Sequence, residues 1–499
     1  MKQTPYQLLE KRFERVQVLK SITHLLRWDA EVLMPPGSAD HRAQQLTLLD
    51  TECTAILRSK KTSRIMQHAE ASVAGLSGWQ QANVREMRRH WQVANIMPKR
   101  LTNSLHRACT KAEVVWRRAH QEKNFRLLAP HLEKVVELVR EKAHLLSSIL
   151  SCTPYDALLD EYDPGNTTAE LDFVLQRLAA ELPGIIQHAI EKQSAFPPIE
   201  IHTPISKRKQ KDLGRFLMKR MGFQFNKGRL DESLHPFTEG TAEDLRITSM
   251  FSEHDFMSGL MGILHETGHA MYDFGLPAEW FFQPVGRDRG MVVHECQALL
   301  LEMAVGRSRA FMRFSAPCVQ KIFGVNGKAW EADNLYRLAT RVHPGFIRMD
   351  ADEVTYPLHI LIRYELEKKI VAGNLRVRDL PAAWNERFKQ LFGEFPPDAA
   401  QGCLQDSHWP QGYFGYFPTY ALGVIMAAQL FASIRQAQPG VMDEIAEGNF
   451  AALFNWLEAN IYRHGARYSR TELLRQATGE TLNPARYLDY LREKYLEEN

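Results

Sequence analysis

MSGLMGILHETGHAMYDFG occupies residues 257–275, and its apolar side chains recur at three- and four-residue spacing, the period of a helix with a buried face. Within it lies His265-Glu266-Thr267-Gly268-His269. Successive residues of an α-helix are rotated by ~100°, so positions four apart differ by only ~40° and both imidazoles can reach one ion. Glu266 projects to the side of that pair, close enough to handle a water held there. Neutral imidazoles and a carboxylate suit Zn²⁺, which brings no redox chemistry of its own. The bland alternative is a chance match on an ordinary buried helix.

A hydrolytic centre needs a third protein ligand and one open position. Twenty-five residues beyond His269, a second helix-patterned segment carries His294-Glu295-Cys296-Gln297. Glu295 is the expected third ligand. Cys296 competes on chemical grounds, although a thiolate donates more charge and would blunt the Lewis acidity that hydrolysis needs; otherwise it is a small buried residue. His294 reads as a neighbour of the ligands, because a fourth ligand would close the site. The pattern therefore predicts a zinc-type peptidase centre of His265, His269 and Glu295, with Glu266 as general base.

Outward from this segment the chain reads as helix in both directions. The period predicts helices over residues 4–26, 39–60, 80–96, 98–124, 128–150, 167–192 and 206–222 before it. After it come 256–274, 291–311, 354–372, 380–392, 418–437, 441–461 and 469–496. Met34-Pro35-Pro36-Gly37-Ser38 separates the first two, with Ser38 or Asp40 placed to cap the second. The clearest strand is the alternation at residues 244–249. No repeat, low-complexity tract or linker divides the chain, so residues 1–499 are expected to form one large, mainly α domain.

Composition narrows the function classes. The 62 Lys and Arg against 59 Asp and Glu leave a formal charge of only +3, which gives no support to a nucleic-acid or membrane-surface partner. None of the six cysteines forms a C-x-x-C pair, so reduced thiols are expected. The N-terminus is charged throughout and lacks the apolar core of a signal peptide. The most apolar stretch, residues 420–434, is too short to span a bilayer. A cytoplasmic location is the expectation.

With these residues in place, the chain resembles the carboxypeptidase Taq family of metallocarboxypeptidases over nearly its whole length. The likeness runs through Trp28-Asp29, Met34-Pro35-Pro36-Gly37, His235-Pro236-Phe237, the D-x-R-x-T of Asp244, Arg246 and Thr248, the H-E-T-G-H, and His294-Glu295 with Gln297. It continues through Ile347, Arg348, Ala351 and Asp352, through Gly402, Gln405, Asp406, His408 and Trp409, and through GYFPTYALG at 415–423. The resemblance implies a mostly helical fold of the HExxH gluzincin type, with a deep substrate groove and a small β element beside the metal helix. It also implies a homodimer, zinc or cobalt dependence, and release of single C-terminal residues with broad specificity but poor action on proline. The family's H-E-S-Q-S-R-L-W-E-N reads HECQALLLEM here, and its L-G-N reads Leu422-Gly423-Val424. The Cys296, Leu301, Met303 and Val424 departures bear on pocket shape and dimer contacts rather than on ligands or base.

Each further candidate has a plain alternative. Asp244, Arg246 and Thr248 share one face of a strand, where they could line a substrate backbone or simply form an internal ion pair. Tyr356, His359 and Arg363 share one face of an apolar helix, lining a groove or supplying a satisfied core histidine. Gln405, Asp406, His408 and Trp409 fall in a loop punctuated by Gly and Pro, where polar residues more often serve sites; Asp406 is expected to hold a histidine. Tyr413, Tyr416 and Tyr420 offer phenols, and similar tyrosines in related peptidases donate to the oxyanion; Tyr420 is placed ahead of Tyr416. An exopeptidase needs a fixed cation for the substrate's terminal carboxylate, and arginine's planar fork suits it best. Arg348 is preferred over Arg246, Arg287, Arg289 and Arg363. The competing functions are an oligopeptidase that cuts internally and a peptide-binding scaffold with a vestigial site.

Overall fold

The helices follow the apolar period closely, and their ends fall where capping chemistry or glycine requires. The computed structural model describes residues 3–497, and about 70% of the chain is helical. The first helix, Pro5–Val32, starts on a capping box in which Thr4 and Gln7 bond each other's backbone. It runs past the expected residue 26 to the Pro35-Pro36 break. Ser38 takes the N-cap position of Ala39–Arg58 but makes no side-chain capping bond.

Three predicted helices are interrupted. The segment expected at 441–461 splits into Val441–Ala446 and Ala451–Asn460 around Gly448, whose φ of 77° no helix continues. The one at 469–496 breaks at Gly479, with φ 84°, and resumes at Pro484. The 291–311 segment is α-helical over Met291–Leu299 and π-helical over Leu300–Gly306; a new helix, Arg309–Phe323, starts where Ser308 caps Phe311. Lys60–Ala71 and Ala332–Ala339 are further helices that the period did not mark.

The chain packs as two compact units, each drawn from three segments. One gathers Met1–Asn95, Pro198–Ala339 and Met426–Leu482; the other gathers Ile96–Pro197, Thr340–Ile425 and Asn483–Asn499. The first holds a three-stranded sheet: β1 (Gly228–Glu232), β2 (Phe237–Thr241) and β3 (Asp244–Ser249), in the order β1-β3-β2. β3 pairs parallel with β1 and antiparallel with β2. Only β3 was legible, because Leu245 and Ile247 alternate into the core while β1 and β2 are short and largely polar.

Leu245 and Ile247 pack with Leu230, Phe251, Ile263 and Ala270 in one hydrophobic cluster. That cluster lays the sheet against the metal helix, Phe256–Phe274. Gly268 makes the next contact possible. A Cβ there would lie 2.5 Å from the Gln297 carbonyl oxygen and 2.6 Å from Ala298 Cα, so the helix carrying His269 approaches the one carrying Glu295 more closely than any side chain allows.

In the second unit, Tyr356–Val371 is buried on almost every side, as expected of an all-round core helix. Its preceding loop holds Glu353, wholly buried, which pairs with Lys494 and accepts from the phenols of Tyr490 (3.0 Å) and Tyr495 (2.5 Å). The Glu353 carbonyl accepts from Tyr487. The C-terminal segment is thereby tied into this unit. Among the described residues, no helix is long and apolar enough to cross a membrane.

Candidate metal centre

The metal helix begins at Asp255, whose carboxylate accepts from Ser258 N at 3.0 Å, and carries the two histidines inward. His265 Nε2 lies 3.7 Å and His269 Nε2 3.9 Å from Glu295 Oε2. These three ligand atoms lie within 4.8 Å of one another, and among the described residues no other His, Cys, Asp or Glu joins them. A tetrahedral ion bonded at ~2.0–2.1 Å separates its ligands by roughly 3.3 Å, so the two histidine–Glu295 separations lie within about 0.6 Å of what a His₂Glu site needs. Cys296 stays out of the set. It is fully buried, and desolvation pushes its thiol far up, so it packs as a small apolar residue.

Glu266 is 4% exposed, and its Oε2 accepts from Thr238 Oγ1 at 2.7 Å. Burial pushes its carboxyl up to about 7, against the pull of His265 and the Thr238 hydrogen bond. Thr238 lies on β2, so β2 supplies the hydroxyl that bonds Glu266. Sequence reasoning passed over this threonine, although it directly follows His235-Pro236-Phe237.

His294 lies beside the ligands, its ring stacked on His269 at 4.3 Å and its Nε2 3.6 Å from Asp273. Burial pulls the His294 imidazole down, but Asp273 and Asp288 outweigh it and bring the group to about 9. Asp273, one helical turn past His269, also lines a cavity of about 1110 Å³ with Phe274, Trp280, Phe282 and Arg287. Glu302 is the residue the motif reading missed. Its Oε2 lies 3.0 Å from His265 Nδ1, and its Oε1 accepts from Arg307 Nη2 at 2.7 Å. The available signal was its spacing of seven from Glu295, which returns to the same helix face, in an otherwise apolar run.

Arg246 has local partners. Its Nε and Nη2 each lie 2.9 Å from an Asp244 oxygen, and its guanidinium covers Trp28 at 4.2 Å. Arg289 is also spent, on Glu86 at 3.0 Å.

The second unit gathers the remaining candidates. Arg348 donates to Asp406 Oδ1 from Nε (3.1 Å) and Nη2 (2.9 Å), while Arg363 Nε donates to Oδ2 at 2.7 Å. Asp406, expected to hold a histidine, holds two arginines; His408 Nδ1 stands 4.0 Å away. Burial would push the Asp406 carboxyl up, and the two guanidinium groups hold it well below its usual range instead. Arg348 also donates to the Tyr356 hydroxyl at 3.3 Å and lies 5.0 Å from the Tyr420 ring. Tyr420 is half-buried, edge-on to Tyr416 at 5.4 Å. His408 is stacked on Phe417 at 4.4 Å, and burial pulls its imidazole down to about 3. His359 is fully buried with its ring 4.7 Å from Phe392 and 5.8 Å from Phe388, and its carbonyl accepts from Arg363.

The departures from the family pattern are all inside. Leu301, Met303 and Val424 are each at most 6% exposed, so each is a packing position inside its own unit.

Comparison with known proteins covers the same ground. The family model described as carboxypeptidase Taq (M32) metallopeptidase matches residues 8–495. The chain is 33% identical to thermostable carboxypeptidase 1 of Thermus thermophilus, over 98% of each chain. It is 32% identical to carboxypeptidase 1 of Bacillus subtilis, over 97% of this chain and 98% of that one. Among solved structures, Trypanosoma cruzi metallocarboxypeptidase 1 superposes with a TM-score of 0.96 at 38% identity, over 99% of both chains. The M32 carboxypeptidase of Deinococcus radiodurans R1 gives 0.93 at 32% identity, with the same coverage. Helical fold, clustered ligand atoms and full-length likeness agree: the chain belongs to the carboxypeptidase Taq (M32) metallopeptidase family, peptide-bond hydrolases that act as metal-dependent carboxypeptidases.

Proposed function

We propose that the chain, working as one metallocarboxypeptidase, removes single C-terminal residues from peptides with broad specificity, using Zn²⁺ or Co²⁺ held by His265, His269 and Glu295. The observation that carries this reading is the meeting of both histidine Nε2 atoms on Glu295 Oε2, with Glu266 buried beside them. An ion bound there supplies Lewis acidity, polarising the scissile carbonyl and lowering the pKa of water toward ~7. Glu266 takes the proton of the attacking water and returns it to the leaving amine, with Thr238 orienting its carboxylate. Tyr420 donates to the developing oxyanion, a contact worth ~2.7–4 kcal/mol in comparable enzymes, and Tyr416 and His408 flank it.

Arg348 anchors the substrate's terminal carboxylate, with Arg246 the next candidate. Charge supports Arg348: it and Arg363 share one Asp406 carboxylate in a buried setting, and a guanidinium fork suits a further carboxylate partner. Assembly as a homodimer and a cytoplasmic location complete the reading. The test is incubation of metal-loaded protein with one peptide as free acid and as amide, followed by mass spectrometry. A one-residue ladder from the free acid alone is the expected result. Internal fragments from both forms would instead mark an oligopeptidase, and uptake of peptide without cleavage would mark a scaffold.

A further inference from the structure

We propose that Glu302, clamped by Arg307, is a positioning residue that decides which nitrogen of His265 is offered to the metal ion; the inference rests on the reading of His265, His269 and Glu295 as the ligands. A neutral imidazole has one N–H and one lone pair, and the hydrogen bond made by one nitrogen fixes the role of the other. His265 Nδ1 faces Glu302 Oε2 at 3.0 Å while Nε2 faces Glu295. An ionised carboxylate only accepts, so Nδ1 carries the hydrogen and Nε2 presents its lone pair to the ion.

Glu302 can impose this only if its own position is fixed. Its second oxygen accepts from Arg307 Nη2 at 2.7 Å, and Arg307 Nη1 donates to the Ala339 carbonyl at 3.1 Å. The three side chains are mostly enclosed, with 22%, 14% and 15% exposure for His265, Glu302 and Arg307. The backbone contributes as well. Glu302 lies in the π-helical turn Leu300–Gly306, and π-turns within helices recur at functional positions. The turn closes against the metal helix at Gly306, where a Cβ would come within 2.5 Å of Leu264, the residue before His265. His269 has a different arrangement, its ring stacked on His294 rather than held by a carboxylate. The clamp thus supports one histidine selectively, and the negative charge behind Nδ1 makes Nε2 a better donor.

The experiment measures Zn²⁺ affinity by competition with a chromophoric chelator, the visible spectrum of the Co²⁺-loaded enzyme, and the melting temperature without metal. It compares wild type with Glu302→Gln and Arg307→Met. Glu302→Gln is expected to weaken Zn²⁺ binding ~10–100-fold and to shift the Co²⁺ bands while the metal-free protein still melts cooperatively, with Arg307→Met changing both in the same direction by less. Wild-type affinity and spectrum in Glu302→Gln overturn the proposal. Should that variant not fold, ¹⁵N resonances of the zinc-loaded wild type decide: a protonated Nδ1 with Nε2 on the metal supports the clamp, and Nδ1 on the metal overturns it. Failure of wild type to take up one ion, or undiminished uptake by Glu295→Ala, would instead sink the metal-centre reading itself.

Discussion

Two buried polar clusters, one in each unit, are built from the same residue types with opposite balance. In the metal centre three carboxylates, Glu266, Glu295 and Glu302, gather around His265 and His269, and one guanidinium, that of Arg307, reaches Glu302. In the second unit two guanidinium groups, those of Arg348 and Arg363, share the Asp406 carboxylate. Uncompensated charge inside a protein is costly, so each cluster favours the ligand that completes it. The carboxylate-rich cluster is the one proposed to take a cation, and the guanidinium-rich cluster the one proposed to take a carboxylate. The comparison teaches that the same residue types in different proportion suit opposite ligands.

Removing a metal ligand should break the first cluster outright. Glu295→Ala is expected to lose the ion and essentially all turnover, and a chelator should do the same to wild type until Zn²⁺ or Co²⁺ is restored; elemental analysis finding full metal in Glu295→Ala would refute the assignment. Glu266→Gln removes the proton acceptor at constant shape. Metal content should persist while kcat falls ~10²–10⁴-fold, and near-normal turnover in the metal-replete variant would assign the base elsewhere.

The second cluster should respond in recognition rather than in metal content. Arg348→Ala is expected to lose ~2–5 kcal/mol in kcat/KM for free-acid peptides and to lose the preference for acid over amide. If that preference survives, Arg246 becomes the anchor to test.

The smallest effect concerns pH. Burial, opposed by Asp406, brings His408 from the usual 6.5 to about 3, so the folded chain stays unprotonated where the unfolded chain takes up a proton. The associated stability is complete above pH 6.5 and is lost as pH falls toward 3, by at most ~1.4 kcal/mol per pH unit. His408→Phe should therefore melt with a shallower dependence between pH 6.5 and 4. Parallel melting curves for the two proteins would show that His408 is protonated in the folded state.

Much of this was readable from the chain. Helix periodicity places His265 and His269 on one face whatever the tertiary structure, and Glu295 follows from a second helix with a carboxylate at the right end. Three further groups depended on folding. Thr238 reaches Glu266 only because β2 pairs with β3, a pairing its mixed sequence FTEGT does not announce. Glu302 shares the Glu295 face by spacing, yet nothing local says that its partner is a ring on another helix. Asp406 was expected beside a histidine because a loop carboxylate next to His408 suggests it. Two buried arginines arriving from elsewhere in the unit outcompeted the imidazole, since charge-assisted bonds to guanidinium are stronger. The interrupted helices have a simpler cause: Gly448 and Gly479 sit at left-handed φ, which periodicity does not register.

The three-segment make-up of each unit bears on how the chain is made. The first unit needs Met426–Leu482 and the second needs Asn483–Asn499, where Tyr487, Tyr490, Lys494 and Tyr495 close on Glu353. Neither is complete until segments encoded after residue 425 have emerged. At ~5–20 residues per second, synthesis of a chain this long takes roughly 25–100 s, during which apolar faces such as that of Tyr356–Val371 wait for partners encoded later. A nascent chain stalled between Val371 and Met426 thus has both units unfinished and is a natural client for chaperones.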